Sequence, residues 1–389
     1  MEDIIQQNNS NNNNSNNHNN NSNNNNNGQN INYSTNHSAT SEADRELEAI
    51  IKQHTARIKV VGVGGAGNNT ISRMHQIGIK GGEIIAINTD AQDLLYASCD
   101  HKILIGKEIS RGLGAGSNPA VGREAAKESL TEIKKKLDNS DMVFITCGLG
   151  GGTGTGAAPV VAEIAKKQGA LTIGVVTLPF SVEGAKRIEN AQEGLERMQS
   201  MVDTLILIPN DRLLDLAQDL PLPTAFKIAD EILTNAVKGI TELITSSGLV
   251  NLDFADIKTV MGDGGVSLIG VGESDTNDRA KDAVNKALNN PLLDVDVRNA
   301  KGALINVIAG NDLSLDEYKD VVQLIGEQLS PDARIISGAK ISPDMEKNLK
   351  VMVIITGVHS AQISGEKVSV EEGRRQDIEN ELGIEFFED

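Results

Sequence analysis

The chain contains no tryptophan, and Phe, Trp and Tyr together make up only 2% of it. That removes the aromatic platforms on which single-stranded bases stack. It is also short of positive charge. Its 36 Lys and Arg stand against 54 Asp and Glu, a net charge of −18, and a surface of that sign repels a phosphate backbone. Nucleic acid is therefore not an expected partner. There are only two cysteines, Cys99 and Cys147, too few for a disulfide framework, so both are expected as reduced thiols of a cytosolic protein. Cys147 lies in an apolar run with no histidine near it and reads as a buried strand residue. No run of about 18 uncharged apolar residues occurs, so no direct membrane insertion is expected. Residues 1–40 are rich in asparagine, and no Lys or Arg precedes Arg45. Such a tract buries too little apolar area to offset its ordering entropy and is expected as a disordered arm, not a signal or transit peptide.

What the chain has in excess is glycine, concentrated in Gly148-Leu149-Gly150-Gly151-Gly152-Thr153-Gly154-Thr155-Gly156. The apolar run Met142 to Cys147 before it reads as a buried strand, and Ala157 to Lys167 after it reads as a helix. A glycine-rich turn between a strand and a helix N-terminus suits an anion, because free N–H groups and the helix dipole face it. Thr153 and Thr155 are expected to add hydroxyl donors. No Gly-Lys-Ser/Thr follows, so this is not the usual P-loop. A flexible linker is the bland alternative.

From Arg57 strands and helices alternate. Strands are expected at Ile58–Val63, Glu83–Asp90, Lys102–Gly106, Met142–Cys147, Leu171–Pro179 and Thr204–Pro209. Between them come a tight turn at Gly64–Asn69 with a helix at Thr70–Ile77, a helix at Pro119–Leu137, and another at Gly184–Met201. This order implies an α/β fold with a mostly parallel sheet and helices on both faces. A long amphipathic helix follows, Thr224–Thr245, and then a smaller α/β unit. That unit has helices at Ala255–Met261, Thr276–Leu288 and Ser314–Leu329, and strands at Ala303–Ala309, Arg334–Ser337 and Lys350–Thr356. The expected organisation is an arm (1–40), a short helix (41–56), a nucleotide domain (57–223), the central helix (224–246), a C-terminal domain (247–360) and an acidic tail (361–389).

Gly62-Val63-Gly64-Gly65-Ala66-Gly67 matches G-x-G-x-x-G after a strand, and Asp90 ends the next strand, as in a nicotinamide dehydrogenase. Two further glycine-rich turns, Gly112–Gly116 and Gly148–Gly156, fall on the same sheet edge. One pyrophosphate needs one cradle, whereas a triphosphate can use several.

Four motifs occur in order: Gly64–Asn69, Arg111–Gly116, Gly150–Gly156, and Asn251-Leu252-Asp253-Phe254-Ala255-Asp256 after the long helix. In this the chain resembles the FtsZ family of tubulin-like cell-division GTPases, over about residues 57–360. The asparagine-rich head and short tail depart from common members. The resemblance implies a tubulin/FtsZ-like fold with a Rossmann-like GTPase domain, a long central helix and a smaller α/β C-terminal domain. It implies GTP and Mg²⁺ as ligands, head-to-tail homopolymers, and a cytoplasmic protein at the mid-cell division ring.

Carried over residue by residue, Gly64, Gly65, Ala66, Gly67, Asn68 and Asn69 form the first nucleotide loop. Gly114 and Ala115 approach the γ-phosphate. Gly150, Gly151, Gly152, Thr153, Gly154, Thr155 and Gly156 wrap the phosphates. Glu183 and Arg187 lie near ribose and phosphates, although by spacing alone they are an exposed ion pair. Asn210 contacts sugar or base, or simply caps a helix. Phe226 stacks on the base and Asp230 reads its edge. A carboxylate accepts from guanine N1–H and the 2-amino group, and adenine has no donor at N1. Asp253 and Asp256, with Asn251, are the implied catalytic group; by spacing alone the two aspartates are helix caps. The metal ligands are not assigned. A central helix of 22 residues spans about 33 Å, so these carboxylates would serve a neighbouring subunit's nucleotide. The tail end Glu381–Phe387 is either a frayed terminus or a peptide that docks on a membrane-tethering partner.

Overall fold

The structure is a computed structural model that describes residues 56–79, 81–212, 222–245, 249–250, 253–290 and 297–358. The expected arm, the 41–56 helix, Asn251 and the tail lie outside the described residues. The described part begins with β1 (Ile58–Val63), α1 (Gly64–Ile77), β2 (Gly82–Asn88), α2 (Ala91–Tyr96) and β3 (His101–Leu104). It continues through α3 (Pro119–Glu128), α4 (Leu130–Leu137), β4 (Met142–Gly148), α5 (Thr153–Lys167) and β5 (Leu171–Leu178). Then come α6 (Ala185–Met201), β6 (Thr204–Pro209), α7 (Leu222–Thr245), α8 (Phe254–Met261), β7 (Gly265–Ser274) and α9 (Arg279–Leu288). Last are β8 (Gly302–Ala309), α10 (Leu315–Gly326), β9 (Arg334–Ile341) and β10 (Leu349–Thr356).

The ten strands among the described residues belong to one sheet, in the order β3-β2-β1-β4-β5-β6-β7-β10-β8-β9. From β3 through β6 every pairing is parallel. That arrangement needs helices on both faces, and strands such as β4 are accordingly apolar on both sides. Along β4, Val143, Ile145 and Cys147 enter one core with α3, α4, α5 and α6. Met142 and Phe144 enter the other with α1, α2, α7 and α8. β7 joins the two halves. Thr204, Leu205 and Ile206 pair in parallel with Gly265, Val266 and Ser267, and β10 pairs antiparallel with both β7 and β8.

The sequence reading missed β7. Its glycines broke the expected strand pattern, yet they serve packing: a Cβ on Gly272 would meet the Ala283 carbonyl oxygen of α9. Two helix starts also shift. The supposed turn Gly64–Asn69 is the first part of α1, and Thr153–Gly156 is the first turn of α5. Pro159 therefore stands inside α5, where its missing N–H costs a bond to Thr155. The helix expected over Pro119–Leu137 is two helices broken at Ser129, whose hydroxyl accepts the Gly106 N–H at 3.2 Å.

Candidate functional site

At the carboxyl ends of β1, β4, β5 and β6 lies a cleft of about 800 Å³. Ligands of open parallel sheets bind at this edge. Of the residues singled out in the sequence, Gly65, Ala66, Asn68, Asn69, Glu183, Arg187, Asn210 and Asp230 line it. They come from α1, the β5–α6 and β6–α7 connections, α6 and α7. Gly148 and Leu149 at the end of β4, with Thr177 and Pro179, complete the wall.

Gly64, Gly67, Gly114, Ala115 and Gly150–Gly156 are not among the lining residues. Gly64 has a φ of +73°, and a Cβ there would sit 2.8 Å from the Gly154 nitrogen, so only glycine lets β1 turn this close to α5. A Cβ on Gly152 would meet the Ala115 Cβ and the Asn118 nitrogen, both at 2.8 Å. The loop carrying Gly114 and Ala115 thus packs backbone to backbone on Gly150–Gly154. The threonine hydroxyls differ from expectation. Thr155 Oγ1 accepts the Gly150 N–H at 2.9 Å, and Thr153 Oγ1 lies 2.6 Å from Thr89 Oγ1. The first bond winds the loop, and the second ties it to the residue that follows β2.

The cleft holds polar atoms that await partners. Asn68 is only 2% exposed, and neither its Oδ1 nor its Nδ2 has a hydrogen-bond partner among the described residues; the same holds for Oδ1 of buried Asn210. Unpaired buried amides are costly, and a ligand offering donors and acceptors would satisfy them. Asp230 Oδ1 accepts from Thr70 Oγ1 at 2.9 Å. Burial raises the Asp230 carboxyl above its usual range, against the opposing pull of Thr70 and of the Arg73 charge. A carboxylate so desolvated gains most from donors on a ligand. Glu183 and Arg187 pair at 3.0 Å, and Glu183 Oε1 also accepts the Phe180 N–H at 2.8 Å. The bland ion-pair reading and a place in the cleft are both realised there. Cys147 touches the cleft, but burial pushes its thiol up to about 12, so it is no nucleophile.

Sequence reasoning missed Thr70, Arg73 and Lys227, which also line the cleft. Arg73 Nη1 donates to the Lys227 carbonyl at 3.0 Å and ties α1 to α7. With α1 begun at Gly64, helical spacing from Ala66 puts Asn69, Thr70 and Arg73 on one face; the shorter helix hid that stripe. Phe226 lies on α7, but its side chain is outside the described residues. Asp90 does not serve a ribose. Its carboxylate caps α2, accepting the N–H groups of Gln92 and Asp93 at 2.9 and 3.0 Å.

Asp253 and Asp256 do not line the cleft. Asp253 stands at the N-cap position of α8, yet its side chain makes no capping bond, and both residues are exposed. The far end of α8 is fixed at the opposite sheet edge. Thr204 Oγ1, at the start of β6, donates to the Met261 carbonyl at 2.5 Å, and the Gly265 N–H donates to the Asp203 carbonyl at 3.2 Å. α7 crosses between the edges. Lys227, Asp230 and Leu233 line the cleft, and Thr245 abuts Gly81 just before β2. A helix of 24 residues spans about 36 Å.

A parallel sheet with a multi-loop phosphate edge, crossed by a long helix, defines the class of tubulin-like nucleotide-hydrolysing proteins. Residues 57–218 match the tubulin/FtsZ family GTPase domain, and residues 265–359 match the FtsZ family C-terminal domain. The chain is 59% identical to "Cell division protein FtsZ 1" of Thermococcus kodakarensis over 82% of this chain and 86% of that one. It is 53% identical to the "Cell division protein FtsZ" of Methanothermobacter thermautotrophicus over 90% and 94%. An empty FtsZ dimer of M. jannaschii superimposes with a TM-score of 0.78 at 57% identity, covering 82% of this chain and 93% of that one. CetZ2 of Haloferax volcanii shares the fold at a TM-score of 0.69 and 21% identity, covering 84% and 100%. The chain belongs to the FtsZ family of tubulin-like cell-division GTPases: it binds GTP and hydrolyses it to GDP and phosphate.

Proposed function

We propose that this GTPase assembles head to tail into filaments that form the division ring, with each active site completed by the neighbouring subunit. The observation that carries this reading is the separation of the two halves of the chemistry. The cleft is at the carboxyl edge of the sheet; the uncapped, exposed Asp253 leads into a helix anchored at the amino edge. A subunit with complementary patches at opposite ends makes a heterologous contact, and such contacts propagate into filaments unless they close into rings. The dimer found for the M. jannaschii relative is consistent with association between copies.

In this reading the loops of Gly64–Asn69, Gly114–Ala115 and Gly150–Gly156 hold the triphosphate through those of their backbone N–H groups that are not already bonded within the protein, as those of Gly114 and Gly150 are. Asp230 accepts from guanine N1–H and the 2-amino group, Phe226 covers the base, and Asn210, Glu183 and Arg187 contact the sugar and phosphate side. The neighbour's Asp253 and Asp256, with Asn251, orient and polarise a water in line with the γ-phosphate. Among the described residues no three His, Cys, Asp or Glu side chains gather as a metal site. Mg²⁺ bound with the triphosphate would neutralise developing charge there, and its side-chain ligands stay unassigned. Hydrolysis weakens the contact and releases subunits.

The domain limits 57–223, 224–246 and 247–360 follow the same reading, with the last as the assembly domain. At Glu381–Phe387 the tail carries a short apolar peptide for a membrane-tethering partner; deleting Leu382–Asp389 is expected to spare GTP turnover and abolish tether binding. Sedimentation with GTP tests assembly: the protein should pellet with GTP and stay in the supernatant without nucleotide, and GTP turnover per molecule should rise with protein concentration. Turnover proportional to protein at every concentration, with no pellet, would end the filament reading.

A further inference from the structure

The sheet edge contains a residue that touches two phosphate loops without lining the cleft. Thr89 follows the last residue of β2 and is fully buried. Its N–H donates to Asn88 Oδ1 at 2.8 Å. Its carbonyl accepts twice, from the Gly114 N–H at 3.2 Å and from the Ser110 hydroxyl at 3.1 Å. Its own hydroxyl meets that of Thr153 at 2.6 Å. One residue thus ties the loop of Gly114 and Ala115 to the first turn of α5. Neighbouring bonds stiffen the connection: the Ala91 N–H donates to the Gly112 carbonyl at 3.0 Å, and the Ile105 N–H to the Asn88 carbonyl at 2.9 Å. Asn88 also reaches the cleft wall, its amide donating to Asp93 Oδ2 at 2.5 Å.

A threonine is not needed here for packing alone. Valine has the same shape and would fill the same space, but it would leave the Thr153 hydroxyl without this partner. The hydroxyl instead spans two elements that differ in what they hold. Gly150–Gly154 wraps phosphates common to GDP and GTP, whereas Gly114 and Ala115 face the terminal phosphate. We propose that Thr89 is a positioning residue for terminal-phosphate recognition: its hydroxyl and carbonyl set the distance between the two loops, so that the Gly114 loop meets the γ-phosphate only when Thr153 is held. This rests on the reading that the Gly114 loop contacts the γ-phosphate. Misplacing a donor by about 1 Å at such a site costs far more than its share of fold stability.

The test is binding of fluorescent GTP and GDP analogues, at protein concentrations below assembly, to the full chain and four variants. Thr89→Val is expected to lower the GTP-to-GDP affinity ratio about tenfold, the loss of one well-placed hydrogen bond. Thr89→Ser, which keeps the hydroxyl, should stay within about twofold of the parent. Gly114→Ala, at a φ of +86°, distorts the loop itself and should lower the same ratio. A folded Thr89→Val with the parent ratio, or a Thr89→Ser as impaired as the valine variant, overturns the proposal while Gly114→Ala still responds. If Gly114→Ala leaves the ratio unchanged, the γ-phosphate reading fails and the proposal with it. If Thr89→Val does not fold, Thr153→Val removes the partner hydroxyl and decides: a lowered ratio supports the coupling, an unchanged one ends it. A purely structural threonine would shift the melting temperature of Thr89→Val and leave the ratio alone.

Discussion

The two edges of the sheet are built on opposite principles. At the carboxyl edge glycines let loops touch backbone to backbone, the Thr155 and Thr153 hydroxyls bond within the protein, and a carboxylate is kept partly buried at Asp230. Almost everything there is positioned before any ligand arrives, which is what binding a polyanion without reorganisation requires. At the start of α8, the helix whose far end is tied to the amino edge, Asp253 and Asp256 are exposed, and the Asp253 side chain makes no capping bond. Exposed charge that stabilises no local structure is available to something outside the chain. One edge is built around a cleft; the other, on the reading proposed above, finds its use against a second molecule.

The largest effect should come from separating the edges. Asp253→Ala is expected to lower GTP turnover of assembled protein by on the order of 100-fold or more, with GTP affinity of the monomer unchanged; steady-state turnover and equilibrium binding measure the two. Loss of affinity would mean that the aspartate serves its own cleft. Next is Asp230→Ala, which on the proposed reading removes an acceptor for two charge-assisted bonds and should weaken GTP binding roughly 100-fold. The same carboxyl sets a pH dependence. Its folded value is raised, and on the proposed reading only the ionised form accepts both guanine bonds. Guanine nucleotide affinity should therefore fall as pH drops through that raised value, and the fall should vanish in Asp230→Ala. A titration of affinity against pH reads it directly.

A third effect lies away from both edges. Arg279 of α9 is nearly buried, and it binds Asp312 at 2.7 Å and Glu317 at 2.6 Å. Hydrogen bonding to Arg279 holds the Glu317 carboxyl at about 2, from an ordinary 4.5. A depressed carboxylate stabilises the fold above its ordinary value and loses that contribution as pH falls toward about 2. Acid unfolding followed by circular dichroism should thus begin at higher pH in Glu317→Gln, while GTP affinity at neutral pH is untouched. The smallest effect is at Arg187. Its exposed pair with Glu183 is worth about 0.3–0.5 kcal/mol to stability. If Arg187→Ala weakens GTP binding by more than this, the arginine contacts the nucleotide; if binding is unchanged, the pair belongs to the surface.

The parallel half was legible because its strands are unbroken apolar runs and its turns are glycine clusters, both local signals. Thr204–Pro209 reads to the residue as β6. β7 was not legible, since a strand with Gly265, Gly270 and Gly272 shows its logic only once α9 is seen lying on Gly272. The break at Ser129 was hidden for a similar reason: its cause is a hydrogen bond to Gly106, 23 residues away. Of the glycine-motif residues Gly65, Ala66, Asn68 and Asn69 line the cleft, and Thr70, Arg73 and Lys227, which line it too, were not foreseen. They belong to the cleft by helical phase and by the crossing of α7, neither of which a motif records. Thr89 was passed over as a strand residue, because its importance lies in three bonds to residues distant in sequence.

Complementation between two disabled variants tests the division of labour between the edges most directly. Asp253→Ala keeps an intact cleft, and Asp230→Ala keeps an intact acidic pair. Each alone should turn over little GTP at a nucleotide concentration that fills only the intact clefts. Mixed in equal amounts they should hydrolyse GTP well above the sum of the two, because the acidic pair of one meets the cleft of the other. A mixture that never exceeds that sum, while co-sedimenting as mixed filaments, would contradict an active site shared between subunits.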